Sequence, residues 1–185
     1  EPWDAVILAG GAGTRLGGAM KGDLVIAGAS LMQRTLVATA LAGSRVVVGG
    51  LPVDGASWTC EDPPGSGPAA AIAAGLAALE RSRSPWVVIV AVDAPGAVDV
   101  IPALLAARSS AVDGAWVVDG AGRSQPLLAV YRAESLGPRC RPGLRGASVS
   151  RLVDRLDMTA VDDHADASHD VDTWDDVAVR EERLR

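Results

Sequence analysis

Leu8-Ala9-Gly10-Gly11-Ala12-Gly13-Thr14-Arg15-Leu16-Gly17-Gly18-Ala19-Met20-Lys21 carries the densest chemical signal in the chain. Five glycines within residues 10–18 can sustain neither a helix nor a strand, so the backbone turns there. A turn without β-carbons lets an anion rest directly against backbone N–H groups, which is how proteins hold phosphates. Arg15 and Lys21 add two cations to that cradle, which a glycine turn of purely structural use would not require. The combination predicts a grip on a nucleoside triphosphate. Two other phosphate loops fail on spacing. The Walker pattern needs Ser or Thr after Gly-Lys, but Met20 precedes Lys21 and Gly22 follows it. The dinucleotide fingerprint needs a third glycine where Leu16 stands.

A second signal is Trp86-Val-Val-Ile-Val-Ala-Val-Asp93-Ala-Pro95, an apolar run that ends abruptly in a carboxylate. Burial of both strand faces explains the run but not Asp93. An unpaired carboxylate beside an apolar crevice is costly, and a divalent cation with a preference for oxygen ligands would offset that cost. The alternative is an aspartate that caps the turn before Pro95. A third signal is the acidic stretch Asp170-Val171-Asp172 ahead of Thr173-Trp174-Asp175-Asp176, which either supplies a further ligand or enriches a helix N-terminus in negative charge.

Short apolar runs alternate with Ala- and Leu-rich stretches, the pattern of a βαβ sheet protein. Strands are expected at 4–8, 45–48, 58–60, 86–92, 114–118, 127–131 and 159–161, and helices at 30–41, 68–81, 98–107, 147–156 and 173–183. Pro68 suits a first helical position, and Thr173 with Asp176 has the spacing of a cap. In an open parallel sheet the loops at the carboxyl ends of strands share one crevice. The glycine loop, Glu61-Asp62 and Asp93 all leave strands there.

The pattern Leu-Ala-Gly-Gly-x-x-x-Arg-Leu-Gly-Gly-x-x-Lys over residues 8–21 resembles the opening loop of the MobA-like nucleotidyltransferases, which include the molybdenum cofactor guanylyltransferases. Asp93-Ala94-Pro95 is similar to that family's metal-binding motif. Residues 60–69 resemble its Glu-Asp…Gly-Pro-Leu-Ala loop, and Gln125-Pro126-Leu127 matches a motif near the acceptor entrance. Residues 170–177 look like its C-terminal Asp/Asn-x-Asp/Asn-Thr-Pro-Glu-Asp-Leu segment, with Trp174 in place of proline.

The resemblance implies a single domain over 1–185 with a Rossmann-like three-layer α/β/α fold and a mostly parallel sheet. It implies nucleotide contacts at Leu8, Ala9, Gly10, Gly11, Gly13, Thr14, Arg15, Lys21, Asp62, Gly67, Pro68 and Asp93. Catalytic roles fall to Arg15, Lys21 and Asp93, with Mg²⁺ held by Asp93 and Asp172 and Asp170 as the fallback ligand. GTP is the implied donor, a molybdopterin-type phosphorylated molecule the acceptor, and other molybdenum-cofactor proteins the transient partners. The chain departs from the family at Met20, where relatives carry an acid, and at Gly49, where guanylyltransferases often carry asparagine. Asp170-x-Asp172 is closer to cytidylyl- and adenylyl-transferring cousins. A relative that binds nucleotide and has lost the chemistry is the alternative class; retention of Arg15, Lys21 and Asp93 weighs against it.

Composition bounds these readings. The chain has 185 residues, 49% of them apolar, enough for one well-buried core. A net charge of −6 argues against a general nucleic-acid binder, so anions must be captured locally. No apolar run approaches the roughly 18 residues of a membrane helix, and no secretory signal is visible. Cys60 and Cys140 lack metal-like spacing and read as cytoplasmic thiols, while His164 and His169 read as solvated.

Overall fold

The computed structural model describes residues 1–10, 20–79, 82, 84–141, 143–163, 167–171 and 173–183. Seven strands form one sheet: β1 (Trp3–Leu8), β4 (Arg45–Val48), β5 (Ser57–Thr59), β6 (Trp86–Ala91), β7 (Gly114–Val118), β8 (Ser124–Arg132) and β9 (Met158–Asp162). Their order is β5-β4-β1-β6-β8-β7-β9. All are parallel except β8, which runs antiparallel between β6 and β7. A separate hairpin pairs β2 (Val25–Ile26) with β3 (Ala29–Ser30). The expected α/β architecture with a mostly parallel sheet is the one observed, and each of the seven expected strands is present.

Alternation along β1 explains the layering. Trp3, Ala5 and Ile7 face one core with residues of α1 (Leu31–Ala38) and α3 (Ala97–Ala106). Val177 of α6 (Trp174–Arg183) packs against the same core. Val6 and Leu8 face the other core with α2 (Pro68–Ala78), α4 (Ala133–Leu136) and α5 (Val149–Leu152). Period-two alternation in a strand buried on both faces thus produces three layers.

The α2 helix must approach the sheet closely, and its sequence permits this through alanines and Gly75. A β-carbon at Gly75 would stand 2.4 Å from Val6 Cγ1 and 3.0 Å from Val48 Cγ2, both on fully buried valines. Gly75→Ala is therefore expected to destabilise the fold by about 1–3 kcal/mol despite alanine's better helix propensity. A chemical-denaturation midpoint equal to or above that of the parent chain would contradict this packing.

Three helices are shorter than expected, each for a local reason. The α1 helix stops at Ala38, before the turn in which Thr39 Oγ1 donates back to Thr35 O at 2.8 Å and Gly43 N–H donates to Trp3 O at 2.8 Å. The described part of α2 ends at Ala78, with the Leu79 N–H turned back to Gly75 O and Leu76 O. The α5 helix is capped by Ser148 and spans four residues, and Arg155 soon follows at φ 64°, a conformation that no right-handed helix continues through. The β2–β3 hairpin escapes sequence reading because its arms are two residues long around Ala27-Gly28, both with positive φ.

Candidate active site

The site forms at the carboxyl ends of β1 and β6. A cavity of about 570 Å³ opens there, within the range typical of small-molecule sites. Its wall includes Leu8 and Gly10 from the start of the glycine loop, Lys21, and Gly67 and Pro68 at the head of α2. Asp93 lies beyond β6, and Asp170 comes from the strap that precedes α6. Lys21 Nζ and Asp93 Oδ2 are 2.6 Å apart, both side chains less than one-fifth exposed. A pair separated by 72 residues is brought together because β1 and β6 are adjacent parallel strands.

Three local structures place these groups. The Val92 N–H donates to Leu8 O at 2.9 Å, so the turn carrying Asp93 is fixed to the strand from which the glycine loop departs. The Val171 N–H donates to Asp93 O at 3.0 Å, which holds the strap against that turn. Asp163 anchors the strap's other end by accepting from Ala167 N–H, Ser168 N–H and Ser168 Oγ–H at 2.6–2.9 Å. Ala167 and Val171 are fully buried, so the strap is packed as well as bonded. At its far end Thr173 and Asp176 form the expected cap: Thr173 N–H and Oγ–H donate to Asp176 Oδ2 at 2.7 and 2.8 Å.

Gly49 packs against Gly10, where the chain leaves β1. At φ 73°, a β-carbon there would lie 2.8 Å from Gly10 Cα. An asparagine at this position would therefore displace Gly10. Glycine at 49 and the close approach of β4's exit to Gly10 are one feature.

Leu8, Gly10, Lys21, Gly67, Pro68 and Asp93 all line the cavity. Ala9 is buried against Gly50, and Asp62 is exposed on its loop. The cavity wall takes Glu61 instead, held by Gly65 N–H donating to Oε1 at 3.0 Å. Strand-end position alone could not distinguish adjacent acids, but Glu61 is the buried one. Gly11, Gly13, Thr14, Arg15, His164 and Asp172 lie outside the described residues.

Gln125, Pro126 and Leu127 reach the cavity because β8 is antiparallel. Its beginning, not its end, lies beside the carboxyl end of β6, with Leu128 opposite Val90. A register shift between Trp116 and Val117 bends this hairpin, and Tyr131 Oη donates to Pro126 O at 2.8 Å across the bend. Gln125 Nε2 donates to Asp119 Oδ2 at 3.1 Å, which fixes the amide at the cavity edge.

Asp93 and Asp170 supply hard oxygen donors to the same cavity, and Oδ1 of Asp93 has no hydrogen-bond partner among the described residues. Among those residues no group of three or more His, Cys, Asp or Glu converges. Such a set suits Mg²⁺, which binds through one or two carboxylates plus substrate phosphates and water. Neither cysteine is disulfide-bonded. Burial and the neighbouring Glu61 carboxylate raise the Cys60 thiol, and burial pushes Cys140 up to about 11, so neither is poised as a thiolate.

A glycine-rich exit from β1, a lysine–aspartate pair and a helix head around one crevice define an α/β enzyme that handles nucleotide phosphates. The chain belongs to the MobA-like NTP transferase domain family, whose profile matches residues 5–161, and it is a nucleotidyltransferase. No curated protein matches it. Solved structures share the fold. Molybdopterin-guanine dinucleotide biosynthesis protein A from Archaeoglobus fulgidus is 20% identical, covering 98% of each chain with a TM-score of 0.68. A mycobacterial homolog of Rv0371c from strain JC1 is 22% identical, covering 99% of this chain and 98% of that one, with a TM-score of 0.75. The 2-C-methyl-D-erythritol 4-phosphate cytidylyltransferase of Thermus thermophilus is 20% identical, covering 97% of this chain and 98% of that one, with a TM-score of 0.66. No helix of the described residues is long and apolar enough to cross a membrane.

Proposed function

We propose that the enzyme transfers GMP from GTP to the terminal phosphate of a molybdopterin-type acceptor, with Mg²⁺ and with release of pyrophosphate. The observation that carries the transfer chemistry is the Lys21–Asp93 pair, which lines one cavity with the start of the glycine loop and with Gln125. The acceptor phosphate oxygen attacks the α-phosphorus in line with the departing pyrophosphate. No protein nucleophile is required, so the chain contributes positioning and charge neutralisation.

Backbone N–H groups of residues 10–13 and Arg15 hold the β- and γ-phosphates. Lys21 exchanges its carboxylate partner for the α-phosphate and the incoming phosphate. Mg²⁺ held by Asp93 with Asp172 or Asp170 would supply charge neutralisation at the α-phosphate and the leaving group. Gln125 and its neighbours face the acceptor. Support for guanine and molybdopterin comes from the glycine-loop resemblance and from the Archaeoglobus protein of the same fold.

Gly49 and Asp170-x-Asp172 favour a second reading, a cytidylyltransferase. The φ of 73° and the contact with Gly10 leave no room for the asparagine of guanylyl forms, and the Thermus neighbour is a cytidylyltransferase. Competition of GTP, CTP and ATP for the site, followed by product mass with molybdopterin and Mg²⁺, separates the two. GTP is expected to displace the others and to yield a guanine dinucleotide. A clear preference for CTP would move the chain to the cytidylyl reading.

A further inference from the structure

A second cavity, of about 580 Å³, lies in the segment between α4 and α5 and has no place in the chemistry above. Four arginines line it: Arg139, Arg141, Arg145 and Arg151. No acidic side chain lines it among the described residues. Residues 137–155 carry five arginines against the single acid Asp154, a local charge of +4 within a chain of net −6. An acidic protein gains nothing for its fold by gathering like charges around a hollow, because guanidiniums that share a small space repel one another.

Two of the four are braced. Arg139 donates to Asp154 O at 2.7 Å and to Leu152 O at 3.4 Å, and Arg141 Nε donates to Pro138 O at 2.9 Å. These bonds go to neutral carbonyls, and the acid on which Arg139 acts electrostatically, Asp113, does not line the cavity. Arg145 and Arg151 are exposed and form no ion pair among the described residues. Guanidinium forks match phosphate oxygens in bidentate geometry, and four of them lining one cavity can engage more than one phosphate.

The site touches the nucleotide loop without belonging to it. The Gly146 N–H donates to Ser66 O at 2.8 Å, and Ser66 is buried between Gly65 and Gly67, both of which line the catalytic cavity. Val149 lines the catalytic cavity, while Ala147 and Arg151 on either side of it line the second.

We propose that this arginine-lined cavity is a second anion site, separate from the catalytic one, for a small ligand bearing two or more phosphate groups. Binding there braces the loop at Ser66 and so tightens the nucleotide site. The test is equilibrium dialysis with labelled inorganic pyrophosphate, on the parent chain and on an Arg145→Ala/Arg151→Ala double variant. Both substitutions are at exposed positions, and a thermal melt verifies the fold. Two equivalents are expected on the parent chain and one on the variant, with the lost site at least tenfold weaker. One equivalent on both proteins, or two on both, would overturn the proposal. Loss of both sites in the folded variant would also overturn it, because the arginines would then belong to the catalytic cavity. Binding of an acidic peptide at this patch in place of pyrophosphate would make it a protein-docking surface and overturn it equally. None of these outcomes depends on which base the catalytic site prefers.

Discussion

Asp93→Asn is expected to lower turnover by on the order of 10²–10⁴-fold while leaving the fold intact. The amide keeps the shape of the carboxylate but not its charge. The Asp93 carbonyl, which accepts from Val171 N–H, is backbone and survives the change, so the strap stays in place. What is lost is the anionic oxygen at the exit of β6, the group that would hold a divalent ion and that now pairs with Lys21 at 2.6 Å. A structural cap would behave differently, since asparagine serves turns as well as aspartate does. Steady-state turnover at saturating donor and metal decides the matter. Near-parental turnover would remove Asp93 from the mechanism.

Lys21→Ala is expected to reduce kcat by on the order of 10²–10³-fold with a much smaller loss of nucleotide affinity. In the proposed mechanism the backbone amides of the glycine loop and Arg15 would hold the triphosphate tail without it. Lys21 stands instead beside Asp93, and in the proposed mechanism the negative charges of donor and acceptor would approach each other there. An interaction that strengthens as those charges converge lowers the barrier and appears in kcat. Arg15→Ala is expected to do the reverse, weakening nucleotide binding appreciably with the smaller effect on kcat. Measured dissociation constants and single-turnover rates for the two variants test the division of labour. A Lys21→Ala protein that binds nucleotide poorly and turns over normally would reverse the assignment.

Much of this site was legible because apolar runs and punctuation coincide. A fully apolar strand followed by a lone acid marks Asp93, and a strand followed by clustered glycines marks residues 8–10. The parallel adjacency of β1 and β6 then follows from βαβ topology. Gln125 was legible only as a motif, because the rule that sites gather at carboxyl ends does not apply to an antiparallel strand. Glu61 and Asp62 were indistinguishable because burial is set by the loop's hydrogen bond to Gly65, which no pattern announces. The arginine cavity was invisible, since its residues are spaced irregularly over a loop whose path is set by the Gly146–Ser66 bond. Short elements escaped for another reason. The four-residue α4 and two-residue β2 and β3 carry too few residues for a period to show.

Acceptor-dependent pyrophosphate release, measured alongside label transfer from α-labelled nucleoside triphosphate, tests the account's central claim most directly. Direct transfer between two bound substrates predicts that pyrophosphate and labelled product form one for one, only when the phosphorylated acceptor is present. No label would remain on the protein. Pyrophosphate released without acceptor, with label retained on the chain, would reveal a protein nucleophile and contradict direct transfer. Nucleotide binding with no pyrophosphate release, even with acceptor and Mg²⁺ supplied, would contradict it as well.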